Sequence, residues 1–402
     1  MDSGSVRRAA RRRVIHRRRL LASVTLLALL GTTAVVAAQE FGEDDAPATH
    51  RAAPSSAGGT PPLPAQVRQP EESSNPAGVY AAITTPHLSA AVKGLRARVY
   101  VPNNESNSVD VVDPRTFRII AHYRVGSYPQ HVTPSWDLRR LYVGNTYSNT
   151  LTVIDPRTGR PTGTLRVFDP YNLYFTPDGT MAIDVAERMN TLFFYDPHTW
   201  KLLGRVHIPW AGADHLDFSA DGRYLLISTE FGGRLVKVDV RSMRIAGSLE
   251  VGGSPVDVKV APDGSVFFVA NQIRDGVSVV DPVRMREIAF IPTGRGAHGF
   301  CVSRDARSLY VSNRLGGTIS VLRFATRRIV ATWKVGGSPD MLQVTPDGRQ
   351  LWVSNRYSGT VSVIDTRSGR VLHVIPVGSS PHGLTYFPQP GRFSIGHNGV
   401  YR

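Results

Sequence analysis

Short apolar runs alternate with turn residues along most of the chain, and one such run returns seven times. It reads VDVVDP up to Asp113-Pro114, LTVIDP up to Asp155-Pro156, LFFYDP up to Asp196-Pro197, VKVDV at Asp239, VSVVDP at Asp281-Pro282, ISVLRF at Arg323 and VSVIDT at Asp365. Measured at the Asp column, where Arg323 stands in once, the spacings are 42, 41, 43, 42, 42 and 42. Alternation inside each run is the signature of a strand, and a fixed period near 42 predicts a β-propeller with four strands in each blade.

The unit from Gly337 to Val377 shows how a blade is written: GGSPDMLQV, TPDG, RQLWVSN, RYSG, TVSVID, TRSG, RVLHVIPV. Four apolar runs, A to D, alternate with turn signals, which predicts an antiparallel meander. The A-to-B turns carry Thr176-Pro177-Asp178-Gly179, Ala261-Pro262-Asp263-Gly264 and Thr345-Pro346-Asp347-Gly348. Pro presets φ, Asp bonds its own backbone and Gly accepts positive φ, so turn chemistry accounts for these residues and for the Asp column of the C-to-D turns. An Asn column ending strand B (Asn103, Asn145, Asn271, Asn313, Asn355) is expected to cap loop backbone in left-handed conformations.

Antiparallel strands put the A-to-B and C-to-D turns on one face of the ring, and the D-to-A connections and B-to-C loops on the other. The first face repeats itself from blade to blade, as a scaffold does. On the second, the residue opening strand A reads Gln130, Tyr171, Asp214, Val256, His298, Asp340 and His382, and the next reads His131, Asn172, His215, Asp257, Gly299, Met341 and Gly383. The B-to-C loops add Glu187 and Glu230 on one side and Arg314 and Arg356 on the other. These residues are expected to form a His- and Asp-rich funnel around the mouth of the central channel. The candidate site is therefore His131, Asn172, Asp214, His215, Asp257, His298, Asp340 and His382, with Glu187, Glu230, Arg314 and Arg356 above them.

Imidazole is the commonest metal ligand and titrates near neutral pH, so His131, His215, His298 and His382 are the candidates for a divalent-metal site or for acid/base work. Against this, each His satisfies backbone groups equally well where the chain turns inward. Successive strand residues point to opposite sides, so the two columns meet in the channel only if the entry to strand A reorients one of them. No Gly-x-Ser-x-Gly elbow, phosphate-cradling loop or dinucleotide fingerprint is present, which leaves nucleophilic hydrolysis and nucleotide binding without support.

Composition adds location. The 402-residue chain has net charge +15, and residues 1 to 19 supply +7 from eight Arg and one Asp. The apolar run LLASVTLLALLGTTAVVAA follows at residues 20 to 38. Arg-rich flank and apolar core together predict an exported protein, with residues 1–38 either a cleaved signal or a membrane anchor. RRRLL at Arg17 to Leu21 loosely fits a twin-arginine signal. Residues 39–77, rich in Pro, Ala and Ser, are a linker, and 78–402 the propeller. The single Cys301 excludes an intrachain disulfide, and Cys-x-x-Cys-His for covalent haem is missing. A monomer is expected, and the Arg-rich surface alone speaks for non-specific association rather than a nucleic-acid site.

Candidate B strands at 98–102 and 393–396 make eight where seven are needed. Closure is expected to pair the C-terminal strand A, around His382 to Phe387, with Arg98 to Val125 in one shared blade. Residues 393–402 would then lie on the ring's edge or over its mouth.

The strings LYVGN, LYVSN, LWVSN, TVSVIDTRSG and VGGSPDMLQVTPDG resemble the YVTN-type β-propeller repeat proteins, the YncE-like family, over roughly residues 97 to 390. IDVAERMN in blade three and VLRF in blade six depart from the pattern. The resemblance implies a seven-bladed propeller in the cell envelope, related to haem d1-binding propellers and to seven-bladed lactonases. It leaves the chemistry open, and two functions of different kinds follow from the funnel and the resemblance together. One is a non-enzymatic propeller binding a protein, polysaccharide or small molecule through the funnel. The other is an enzyme using haem d1 or a divalent metal at the same face, with His131, His215, His298 and His382 as axial-ligand candidates.

Overall fold

The structure, a computed structural model, describes residues 77–85 and 87–402. The signal or anchor segment 1–38, and the linker expected after it up to residue 76, lie outside the described residues.

Seven four-stranded antiparallel sheets form the ring. Six run A to D in chain order, with strand A at Pro129–Pro134, Pro170–Phe175, Ala213–Phe218, Pro255–Val260, Ala297–Val302 and Pro339–Val344. The remaining sheet, blade one, is shared: Thr385–Phe387 supplies strand A and pairs with Arg98–Asn103, which is followed by Ser108–Asp113 and Arg118–Arg124. Each strand A also packs against strand A of the next blade, so the seven A strands wall the channel. Strands A, B and C are nearly continuously buried, as strands covered on both faces must be. Strands D at the rim alternate, and Arg328–Lys334 shows the period-2 pattern of a half-buried edge.

The recurrent acids are turn parts. Oδ1 of Asp113, Asp155, Asp196 and Asp281 accepts the backbone N–H two residues on, at 2.9 Å in each case. The Asn column meets its expectation in part. None of its members is left-handed. Asn271 caps loop backbone, accepting the Ser254 N–H at 3.0 Å and donating to the Gly252 carbonyl at 2.8 Å, and Asn313 accepts the Gly294 N–H at 3.1 Å. The amide also reaches across to strand C hydroxyls, as Asn145 does to Thr152 at 3.0 Å, Asn313 to Ser320 at 3.0 Å and Asn355 to Ser362 at 2.9 Å. The side chain lies within the sheet and bonds sideways, so it needs no special φ.

Residues 393–402 take neither place foreseen for them. They enter the channel from the A-to-B face, opposite the mouth. Ile395 accepts the Phe175 N–H at 2.9 Å, the His397 N–H donates to Leu173 at 2.7 Å, and the Arg402 guanidinium donates to Asp217 at 2.6 Å. Residues Gly78–Thr84 pack on the same face, where Tyr80 Oη donates to the Val260 carbonyl at 3.0 Å. The ring thus has one stoppered end and one open end.

Candidate functional site

The geometric obstacle to bringing two adjacent columns into one channel is removed by a bulge. In blade two Pro129 faces Asn145 and Val132 faces Val143, so three steps on strand A match two on strand B. The same slip recurs between Ala213 and Leu216, Pro255 and Val258, Ala297 and Phe300, and Pro339 and Leu342. In blade three it falls between Pro170 and Asn172. A bulged strand bends and re-aims its side chains, which is why both columns reach the axis. The carbonyls freed there are met from the neighbouring blade: Ser228 Oγ donates to Val256 at 2.5 Å and Ser312 Oγ to Asp340 at 2.6 Å.

Asp340 is the hub of the upper channel. It lies 2.8 Å from Nδ1 of His382, 3.0 Å from Nδ1 of His298, 2.5 Å from Arg314 and 3.9 Å from Arg356. Burial alone would raise its carboxyl, yet Arg314, His298 and His382 together hold it well below the usual range. Burial drives His382 down to about 3 and His298 down to about 4, with Arg356 and Arg314 respectively adding to it. Both imidazoles are therefore neutral at pH 7.

Below the hub the rings of His131, His215 and His397 converge. Their centroids are 4.7 to 5.5 Å apart, and His382 stands 4.6 Å from His131. All are buried. Nδ1 of His215 lies 2.5 Å from Asp214; burial would lower this imidazole, but the carboxylate raises it on balance. Asn172 contacts Nδ1 of His397 at 3.0 Å. Asp257 has a bracing task, accepting the Phe300 N–H of the next blade at 2.8 Å while Lys259 approaches at 3.4 Å.

Above the hub opens a mouth of about 360 Å³, lined among others by Tyr128, Tyr171, Glu187, Glu230, Arg314 and Arg356. Burial pushes Glu187 up to about 8, with Asp214 and Glu230 adding to it. It pushes Glu230 up to about 7, where Asp214 adds and Arg314 opposes. Neither glutamate has a salt bridge among the described residues, whereas Arg314 and Arg356 are drawn to Asp340. Around the mouth stands a crown of exposed apolar side chains, Tyr147, Phe231, Ile273, Leu315 and Tyr357, with Phe231 70% and Tyr357 68% exposed.

The structure thus gathers His131, Asn172, Asp214, His215, Asp257, His298, Asp340 and His382 in the channel and sets Glu187, Glu230, Arg314 and Arg356 at its mouth. His298 stands apart from the other imidazoles, because Arg314 contacts its Nε2 and Asp340 its Nδ1. It is also the one mouth-lining histidine among the described residues. No imidazole is therefore free at the mouth as an axial ligand, and the residues present do not fit haem d1. Sequence reasoning missed His397 and Asn398, whose position depends on a tail without repeat register. It also missed the crown, although a signal existed: Phe231, Ile273, Leu315 and Tyr357 follow one another at intervals of 42.

A family model for YNCE-like beta-propellers matches residues 75–389. No curated protein matches the chain in sequence. Among solved structures, hydrazine synthase of Kuenenia stuttgartiensis superposes with TM-score 0.61 at 19% identity, covering 75% of this chain and 99% of that one. The dihydro-heme d1 dehydrogenase NirN in complex with DHE gives 0.56 at 19% identity, covering 74% and 76%. A putative 6-phosphogluconolactonase from Bacteroides fragilis gives 0.61 at 16% identity, covering 73% and 98%. At these identities the likeness is one of fold.

Proposed function

Because this chain belongs to the YncE-like β-propeller family, the rigid ring with one open end is the premise, and we propose that it is an exported binding propeller whose mouth captures a small ligand. The ligand carries a cationic group on an apolar stem. One observation carries this reading: Glu187 and Glu230 sit together, half-buried at the mouth, with no cation paired to either among the described residues. An amine or guanidinium between them would supply the missing partner in a site of reduced dielectric, where charge-assisted hydrogen bonds are strong. The crown offers aromatic faces and apolar surface to the rest of the molecule. Tyr128 and Tyr147 already stack at 4.4 Å, and Arg188 lies over the Tyr147 ring at 4.9 Å, so this rim accepts a flat cation in its own architecture. Export rests on the Arg-rich and apolar N-terminal sequence.

A thermal-shift panel of amines, cationic amino acids, polyamines and quaternary ammonium compounds tests the reading, with neutral and anionic analogues beside them. Cationic members should raise the melting temperature of the native protein but not of the Glu187→Gln/Glu230→Gln variant. A panel in which only anions stabilise, or in which the double variant responds like the native protein, would overturn it.

A further inference from the structure

The lower channel holds an arrangement that the mouth does not use. Three of the converging imidazoles have Nδ1 near a wall oxygen: His131 against Asn398 Oδ1 at 2.8 Å, His215 against Asp214 at 2.5 Å and His382 against Asp340 at 2.8 Å; Nδ1 of His397 instead lies 3.0 Å from the Asn172 amide nitrogen and 3.3 Å from its oxygen. For His131 and His382 the oxygen acceptor keeps the proton on Nδ1 and leaves the lone pair on Nε2. Among the described residues, Nε2 of His131, His215 and His382 is buried without a hydrogen-bond partner. Nε2 of His397 meets only the Asn398 amide, at 3.2 Å, and a distant Asp257 carboxylate at 3.9 Å. Buried polar atoms are ordinarily satisfied, yet these three ring nitrogens are enclosed with no hydrogen-bond partner among the described residues.

We propose that His131, His215 and His397 bind one divalent transition-metal ion. One nitrogen of each of the three lies within 4.8 Å of the others. A four-coordinate ion with metal–nitrogen bonds of about 2.0–2.1 Å needs ligand atoms about 3.3 Å apart, so the rings close by at most about 1.5 Å. Neutral imidazoles are the donors of zinc and copper, whereas magnesium and calcium call for oxygen. The wall oxygens of Asn398 and Asp214 then act as an outer shell that sets ring angle, with the Asn172 amide beside His397. Asn398 is doubly placed for this, since its oxygen accepts from His131 while its amide faces His397. The tail therefore completes the centre as well as closing the channel, and this site stands or falls independently of the mouth.

The test uses full-length protein stripped of metal by chelator in denaturant and refolded with Zn²⁺ or Co²⁺ alone. Expected are one retained equivalent and, for Co²⁺, the visible absorption of a four-coordinate site with imidazole ligands. His131→Ala and His397→Gln should each lower Zn²⁺ affinity at least tenfold, while His198→Ala, on an exposed turn, should not. If His131→Ala does not refold, Asn398→Ala decides, because it keeps every ring and removes only the outer-shell bridge. A 10- to 100-fold loss of affinity is expected for it. Failure of the native protein to retain either metal, as a water-filled pocket would give, overturns the proposal. So does equal retention by native protein and the folded variants.

Discussion

Oδ2 of Asp340 lies 2.8 Å from Nδ1 of His382, while Oδ1 of the same carboxylate lies 2.5 Å from a guanidinium nitrogen of Arg314. One acid from blade seven thus holds a histidine of blade one and an arginine of blade six. It is fully buried, and Arg314 is nearly so. Removing one partner of such a pair strands the other in a low-dielectric interior. Asp340→Ala should therefore destabilise the ring by about 3–5 kcal/mol, well beyond an ordinary surface change. Denaturant unfolding followed by tryptophan fluorescence measures this. A loss below about 1 kcal/mol would mean that water reaches Arg314 from the mouth and that the hub is not sealed.

Asp184, on strand B of blade three (Ala182–Ala186), is buried with neither oxygen hydrogen-bonded among the described residues. Burial pushes its carboxyl well above the usual range, and Asp169 adds to it. The folded chain then keeps a proton that the unfolded chain releases, so the penalty is absent below the unfolded value of about 3.9 and grows as pH rises toward the folded one. Asp184→Asn keeps the shape and removes the ionisation. It should stabilise the protein at pH 7 by about 1–3 kcal/mol, with the gain vanishing near pH 3. Melting curves of the pair at both pH values provide the measurement.

Particular residues explain what the sequence could and could not convey. The blades were legible because each is a local meander whose turns are encoded by their own residues, as at Thr345-Pro346-Asp347-Gly348. The shared blade followed from counting strands around Arg98 and Phe387. The channel residues were legible as the places where the repeat breaks. Their meeting was not, because it needs the bulge after Pro129 and its equivalents, which is a matter of register between strands rather than of residue type. His397 lay out of reach for another reason: its place is set by long-range hydrogen bonds of the tail to Leu173 and Asn172, and no repeat marks it.

Cation capture at the mouth should depend on pH. Burial places Glu187 at about 8 and Glu230 at about 7, so both carboxyls are largely protonated at pH 6 and ionised by pH 9. Affinity for a permanently charged ligand such as a quaternary ammonium should climb across that window, by at least tenfold, and level off above it. Glu187→Gln/Glu230→Gln should give weak binding with a flat profile. Titration calorimetry between pH 6 and 9 separates this from a purely aromatic rim, which would bind equally across the range.

Gly383 follows His382 where the chain enters the shared blade, and its N–H donates to the Gln130 carbonyl at 2.9 Å. A Cβ built there would come within 2.4 Å of Nδ1 of His131 and 2.5 Å of Oδ1 of Asn398, closer than real atoms approach. Both neighbours are packed in the channel, so neither can swing into solvent. Gly383→Ala should therefore wedge apart the hydrogen bond that joins His131 to the tail, with an overpacking penalty of about 1–3 kcal/mol. Gly163, in the rim strand Arg160–Arg166, has open space at the same position and no positive φ, so Gly163→Ala is the matched control. It should change stability by no more than about 0.5 kcal/mol. If Asn398 rather than the backbone gives way in Gly383→Ala, the tail loosens: amides of residues 395–400 should exchange hydrogen faster while those of the A strands stay protected. Uniformly faster exchange would instead place the strain in the ring, and unchanged exchange with unchanged stability would show that His131 and Asn398 are not held as closely as the structure has them.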